Sequence, residues 1–417
     1  MMINYFYNTI HPKIKNNSKA YWWLRDKYVL YKILISKIFD FPAPQKKRLL
    51  FYDLGGLGYG GTEAFLQILA KYTDKQKYDV YFMYADKVPE GSGIEDFTSR
   101  LSFIVEGGVF PIRFDYRLKD STPPFFIHGM SPNIFKVIKD FHIDLLVVAG
   151  AGNSDFPFTA IKNIPIVMLN VFGQPNVQKN IMYHLCISQE VADKLSLIVP
   201  KEKVVVTYVP SELPLPGSEE AGKRLRRSLG ISDNALIFGR IGRSSSSIFD
   251  PIGIRAFQIV VKKYPNTHYL IVSPAQDLRD IVKSEKIPNV HFVKGSGKMA
   301  DLWSFYYAMD ILAHFRKDGE SFGLNIAQAM LCGRPVISHK SRFWNAHLEY
   351  LTNDFSRVAE IDDVNQYAGY MEWYIEKWKQ NEILAMGEKA RIKAEELVSI
   401  KKHINSFEKC LESALSK

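Results

Sequence analysis

A chain of 417 residues, 47% of them hydrophobic, is too long for one ordinary domain and carries enough apolar content for two or three buried cores. Its three cysteines, Cys186, Cys332 and Cys410, stand far apart with no C-x-x-C and no clustered histidines, which excludes a disulfide framework and a structural zinc site and fits a reducing cytoplasm. The net charge of +10 is concentrated: residues 1–48 hold ten Lys and Arg against Asp26 and Asp40, which is +8 of the total, so a uniform basic groove for nucleic acid is not indicated.

That excess belongs to an N-terminal arm, residues 1–46. Within "AYWWLRDKYVLYKILISKIF", Leu24, Tyr28, Tyr31, Ile35 and Ile38 share one helical face, while Arg25, Lys32 and Ser36 lie opposite and Lys27 breaks the pattern. Two readings stand open: a basic amphipathic helix lying in an anionic membrane surface, or a helix packed on the body of its own protein. No run reaches the roughly 18 to 20 apolar residues of a membrane span, and the N-terminus lacks a signal-peptide pattern. The expected location is therefore cytoplasmic, with peripheral membrane attachment if the first reading holds.

Next comes "RLLFYDLGGLGYGGTEAFLQILAKY", Arg48 to Tyr72, in which Gly56, Gly58 and Gly61 satisfy G-x-G-x-x-G between a strand-like and a helix-like run. Glycine lets backbone N–H groups approach an anion, and a helix N-terminus adds partial positive charge there. Further short apolar runs, "YDVYFMYA", "DLLVVAG", "IPIVMLNVF" and "YHLCIS", alternate with helix-like segments such as "SPNIFKVIKDF", the pattern of a parallel sheet with crossover helices. The Pro-, Gly- and charge-rich "VPSELPLPGSEEAGKRLRRSLGIS" reads as a domain linker. A second alternating block follows it: "ALIFGRIG", "HYLIVSP", "VHFVKG", "DILAHF" and "RPVISHK". The expectation is an α/β protein of two Rossmann-like domains facing across a cleft, over 47–210 and 211–385, with a C-terminal helix over 386–417 returning to the first domain.

The second block carries a sharper motif, "GESFGLNIAQAMLCGRPVIS", Gly319 to Ser338. It sets Glu320 on a tight loop, then Ser321, Phe322 and Gly323 at a helix start. The carboxylate offers an acceptor to the cleft, and the free N–H groups of Phe322 and Gly323 can receive an anion or a sugar hydroxyl. Gln328, eight residues after Glu320, can bond ribose hydroxyls or be an ordinary exposed glutamine.

At these residues the chain resembles the retaining family 4 glycosyltransferases of the GT-B fold. Their signature is a loop glutamate, an S-F-G or G-F-G run, a second glutamate eight residues after the first, then A-M, a glycine and P-V. "ESFGLNIAQAMLCGRPVIS" follows it nearly throughout, with Gln328 in the second acidic position. The resemblance extends from about Lys47 onward, with "GGTEAFLQILA" similar to the family's first cleft loop and helix. "FGRIGR" resembles the start of its second domain, where G-R and a later lysine hold the donor diphosphate; that lysine is missing, and Arg243 or a serine of "SSSS" stands in. "NAHLEYL" occupies the place of a loop ending in a glutamate, here Glu349.

The resemblance implies a glycosyltransferase that moves a sugar from a UDP- or GDP-linked donor to a glycan or lipid-linked acceptor, with retention at the anomeric carbon. Glu320 would act at the reacting sugar. Gly60, Gly61, Arg240, Arg243, Ser321, Phe322, Gly323, Leu324 and Gln328 would hold the donor, and Asn153, Asn170 and Gln174 are acceptor-side candidates on loops after strands. With no D-x-D at a strand end, and with arginines and N–H donors to meet the charge of the leaving diphosphate, neither a metal nor another cofactor is expected. Two other readings remain open. Gln328 and the missing lysine suit a catalytically inactive nucleotide-sugar-binding or scaffold protein, and the first glycine loop with Asp86 suits a Rossmann oxidoreductase, which leaves the second motif unexplained. His128, His184 and His314 are scattered and read as structural.

Overall fold

The computed structural model describes residues 46–52, 57–58, 60–85, 97–114, 134–150 and 158–416. The arm up to residue 45, Gly56, Asp86, His128 and Asn153 lie outside them.

The first unit is a parallel sheet. Its elements run β1 (Lys47–Tyr52), α1 (Gly61–Tyr72), β2 (Tyr78–Ala85), α2 (Phe97–Glu106), β3 (Phe110–Phe114), α3 (134–140), β4 (Leu145–Gly150), β5 (Ile166–Asn170), β6 (Ile181–Cys186), α4 (Gln189–Leu195) and β7 (Val204–Val206). The strands lie in the order β3-β2-β1-β4-β5-β6-β7, all in parallel register, Leu49 beside both Val80 and Leu145. Strands covered on both faces need apolar residues at every position, which is why β1 reads as a continuous run. Leu49 and Phe51 point into one buried cluster, and Leu50 and Tyr52 into another on the opposite face.

The second unit repeats the plan. It comprises α5 (Ser218–Ser228), β8 (Leu236–Ile241), α6 (Ile252–Lys263), β9 (Thr267–Val272), α7 (Gln276–Ser284), β10 (Val290–Val293), α8 (Met299–Ala308) and β11 (Ile311–Ala313). There follow β12 (Gly319–Glu320), α9 (Leu324–Leu331), β13 (Val336–His339), β14 (Trp344–Asn345), a 3-10 turn (Ala346–Glu349), β15 (Ser356–Ala359), α10 (Val364–Lys379), α11 (Ile383–Leu397) and α12 (Ile400–Leu415). The strand order is β10-β9-β8-β11-β13-β15, and β12 and β14 form a separate two-residue ladder in which Glu320 pairs with Asn345. Both sheets therefore reverse their winding once, between β1 and β4 and between β8 and β11. Loops leaving the strand ends at such a point splay apart and open a crevice for ligand.

The C-terminal segment differs from the single returning helix expected over 386–417. It is broken at Val398–Ser399, where the Ser399 side chain caps a new helix. Of the two helices, α11 packs on α9 of the second unit, whereas α12 crosses to the first and lies against α1, β5 and β6. The break follows from two apolar faces with different partners. Phe407 of α12 meets Phe51 of β1 with ring centroids 6.1 Å apart, and Lys77 and Glu412 close the outer edge at 2.9 Å.

Candidate functional site

The site forms where the two switch points face each other. On the first-domain side, α1 begins at Gly61 with Gly60 as its N-cap. On the second-domain side, β8 ends with Arg240 and Ile241, and β11 runs into His314. The two sides meet: a Cβ on Gly60 would lie 2.9 Å from Arg243 Nη2, and one on Gly61 would lie 4.0 Å from Leu324 Cβ. Arg243 is exposed and reaches across the cleft to the glycine loop. The hydroxyls of Ser244, Ser245, Ser246 and Ser247 are occupied locally, by Pro274 O, by one another and by Asp277. Arg243 is thus a cation beside Gly60.

Arg240 is only 2% exposed, its guanidinium carbon stacks 4.9 Å from the centroid of the Phe315 ring, and its Nε finds no acceptor. Among the described residues no carboxylate lies within ion-pair distance of it. Burial pulls its pKa down, partly offset by Tyr269 and Glu320 nearby. A buried guanidinium without an anion is unfavourable by itself, so the fold holds a cationic position ready for an acceptor that the chain does not supply.

Glu320 is set by its neighbours. Gly319 adopts φ +69°, and a Cβ there would fall 1.9 Å from Trp344 O, so only glycine permits the close ladder of β12 on β14. Glu320 Oε1 lies 3.1 Å from His314 Nε2, at hydrogen-bond distance though off the N–H axis, and Oε2 lies 3.8 Å from Arg316 Nη1. Asn325 Nδ2 approaches the other ring nitrogen of His314 at 3.4 Å. Burial opposes ionisation of Glu320, but His314 and Arg316 outweigh it and hold the carboxyl below its usual range. Arg316 is itself aligned by a forked pair with Asp318 at 2.5 and 2.7 Å. Its backbone N–H donates to His339 Nε2, while His339 Nδ1 faces Lys340 O. An N–H can only donate and a carbonyl only accept, so His339 is the neutral Nδ1–H tautomer.

Helix α9 starts directly after this carboxylate. Gly323, its N-cap, takes φ 91°, and Tyr350 OH ties down the carbonyls of Phe322 and Gly323 at 2.6 and 3.3 Å. The N–H groups of Ser321, Phe322 and Gly323 donate to no group among the described residues. Phe322 itself is buried, its ring 5.9 Å from Tyr208 and 5.7 Å from Tyr350, so its main chain and not its side chain faces the cleft.

The remaining candidates divide. Gln328 is buried, accepts from Tyr306 OH at 3.2 Å and approaches Ser211 Oγ at 3.5 Å; it braces the domain junction and is not an exposed glutamine. Asn170 is fully buried with both side-chain groups engaged by its own loop, to Gln174 O and from Gly173 N, each at 2.8 Å. It braces that turn, and Gln174 is exposed on it. Glu349 points to the first domain and not to the cleft centre: it accepts from Gln189 N at 3.0 Å and Glu190 N at 2.8 Å. His314, read from sequence as structural, is part of the site. Its place one residue past the end of β11, beside the switch point, is the signal that could have identified it. Arg316 and the buried His347 carried no local signal. Among the described residues no group of three or more His, Cys, Asp and Glu side chains could hold a metal ion.

Comparison with known proteins bears on the fold and on the second domain. Residues 223–393 match the family described as Glycosyl transferases group 1. A curated relative, the D-inositol 3-phosphate glycosyltransferase of Corynebacterium kroppenstedtii, is 28% identical over 191 residues, 38% of this chain and 42% of its own. The chain thus spans less than half the length of that relative. The fold is similar to that of Anabaena HepE, solved in complex with UDP and glucose, at TM-score 0.68 and 18% identity over 88% of this chain and 100% of that one. It is also similar to that of sucrose-phosphate synthase from Thermosynechococcus elongatus, at TM-score 0.68 and 14% identity over 89% and 99%. By architecture the chain has the GT-B fold, two parallel-sheet Rossmann-like domains, and residues 223–393 carry its match to the Glycosyl transferases group 1 family.

Proposed function

We propose that this protein is a glycosyltransferase that moves a sugar from a UDP- or GDP-linked donor to a glycan or lipid-linked acceptor, with retention at the anomeric carbon. The observation that carries this reading is Arg240: a buried guanidinium with no anion among the described residues, within electrostatic reach of Glu320, the carboxylate that the undonated N–H groups of Ser321, Phe322 and Gly323 follow in the chain. A diphosphate supplies the missing acceptor, and Glu320 supplies a carboxylate for sugar hydroxyls. The neighbour solved with UDP and glucose supports the same ligand class.

In this reading the bond from the anomeric carbon to the diphosphate oxygen breaks as the acceptor hydroxyl approaches from the same face. Charge grows on the departing diphosphate, where Arg240, Arg243 and the N–H groups meet it. The acceptor's proton passes to the departing phosphate oxygen, so no protein base is required, and the new glycosidic bond keeps the donor's configuration. Glu320, held ionised by His314 and Arg316, bonds a sugar hydroxyl more strongly as the ring gains positive charge. The N-terminal arm, with its concentrated basic charge, holds the enzyme at an anionic membrane where a lipid-linked acceptor resides.

A panel of UDP- and GDP-linked sugars tests the reading by thermal stabilisation, slow hydrolysis and the anomeric configuration of the product. Stabilisation by a nucleoside diphosphate with turnover to the retained anomer is expected. Binding without any turnover would make the chain an inactive binder, and no binding would end the proposal.

A further inference from the structure

On one flank of the cleft the domains meet through carboxylates that bond the main chain of the opposite domain. Glu349, ending the 3-10 turn of the second domain, accepts from Gln189 N at 3.0 Å and Glu190 N at 2.8 Å, the first residues of α4 in the first domain. It also accepts from Tyr208 OH at 3.0 Å. Glu190 answers in the other direction, accepting from Asn345 N in β14 at 2.8 Å. Lys194, one turn further along α4, pairs with Glu190 at 3.2 Å, donates to Phe343 O at 3.2 Å and lies 3.4 Å from the Trp344 ring centroid. Asn345 is the register partner of Glu320 in the ladder of β12 on β14. A bond that starts in the first domain therefore ends on β14, the strand paired with the one that carries the site carboxylate.

We propose that Glu349 and Glu190 form a reciprocal latch that holds the two domains closed, and that Glu190 is a positioning residue for Glu320, acting through Asn345. The latch itself stands on geometry alone; its consequence for turnover rests on the glycosyltransferase reading. Each bond is charge-assisted, yet each lies where water competes, so neither carboxylate suffices singly. Reciprocity makes them cooperative. Loss of Glu349 frees the start of α4, and with it the Glu190 side chain that caps Asn345. Opening exposes the amides of Gln189, Glu190 and Asn345 together. The β12 ladder, only two residues long, then loses its external support and Glu320 drifts from His314. Closure and the assembly of the carboxylate are thus one event.

Hydrogen exchange of the full chain without nucleotide tests the latch, using Glu349→Ala, Glu190→Ala and the conservative Glu349→Gln and Glu190→Gln. Glu349→Ala is expected to raise exchange about tenfold at Gln189 and Glu190 and equally at Asn345, to which Glu349 makes no bond. Glu190→Ala is expected to raise exchange at Asn345 and through residues 319–323. Glu190→Gln, which keeps an acceptor oxygen for Asn345 N, should stay within about threefold of wild type, whereas Glu349→Gln, which replaces one of two accepting oxygens by an NH2 donor, should fall between wild type and Glu349→Ala. If Glu349→Ala leaves Asn345 at its wild-type rate, the two carboxylates are independent contacts and the latch is wrong. If Glu190→Ala leaves residues 319–323 unchanged, Glu190 does not position Glu320. With UDP-glucose as probe, Glu190→Ala should lower kcat about tenfold with KM nearly unchanged, and Glu190→Gln should restore it. Failure of UDP and UDP-glucose to bind the wild type would refute the functional reading and leave the latch to be judged by exchange alone.

Discussion

His314 Nε2 stands 3.1 Å from Glu320 Oε1, the two side chains 3% and 10% exposed, so a histidine from the adjoining strand end, with Arg316, holds the carboxyl at the centre of the site below its usual pKa against the effect of burial. Asn325 reaches the opposite ring nitrogen at 3.4 Å, which favours the tautomer with its proton on Nε2, the nitrogen nearer Glu320.

Replacing Glu320 by Ala removes the hydroxyl contact that strengthens in the transition state. Turnover of the active nucleotide sugar should fall about 100-fold or more, the effect of about 2 to 3 kcal/mol from one charged hydrogen bond, while nucleoside diphosphate affinity changes little. His314→Ala should lower turnover in the same direction by less, because Arg316 still attracts the carboxylate. Steady-state kinetics with calorimetry of the free nucleotide separates these effects, and near-normal transfer by the Glu320 variant would remove it from the site.

Arg240→Met should divide stability from binding. Methionine fills much the same space without a buried uncompensated charge, so thermal stability should hold or rise by about 1 to 3 kcal/mol. Nucleoside diphosphate affinity should fall at least about tenfold, and its salt dependence should weaken. A variant that loses stability and keeps its affinity would show that Arg240 is structural.

Gly319→Ala should be severe although it adds a single methyl. The residue needs φ +69°, and the new carbon would fall 1.9 Å from Trp344 O and 2.3 Å from Ser341 Oγ. The β12 ladder cannot form with it in place. A stability loss of about 2 kcal/mol or more, seen in denaturant unfolding, should accompany loss of turnover. Gly60→Ala meets only the flexible ends of Glu63 and Arg243, so it should fold normally and weaken donor binding alone.

Acid should destabilise the fold before it touches the carboxylates. Burial pushes the pKa of His184 and of His347 down to about 4. Both are neutral in the folded protein, so their contribution is complete above the unfolded value of about 6.5 and is lost as pH falls from there toward 4. Each site can cost on the order of 2 to 3 kcal/mol at pH 4. Melting temperatures measured from pH 7.5 to 4.5 should decline over this window, and His184→Gln should flatten the decline. A melting temperature level across the window would contradict the neutral buried state.

The basic arm carries a separate prediction. If it attaches the enzyme to a membrane, the intact protein should sediment with anionic vesicles at low salt, salt should release it, and removal of residues 1–45 should abolish the effect, each basic residue contributing about 1 kcal/mol near the surface. A protein that ignores such vesicles and melts lower without the arm would make the arm a packed helix.

Local chemistry was enough to determine the two sheets, their parallel sense and the motif around Glu320. Continuous apolar strands, turns rich in glycine and amphipathic helices are properties of neighbours in the chain, and a reader of the sequence sees neighbours. The tertiary structure decided everything that joins distant segments. Gln328 follows Glu320 by eight residues, yet faces Tyr306 and Ser211; Glu349 ends a 3-10 turn of the second domain, yet bonds α4 of the first. His314 became a site residue only because β11 lies beside β8, which brings it near Arg240. Such pairings are set by strand order and helix crossing across separations of up to 335 residues, as between Lys77 and Glu412, and no local pattern encodes them.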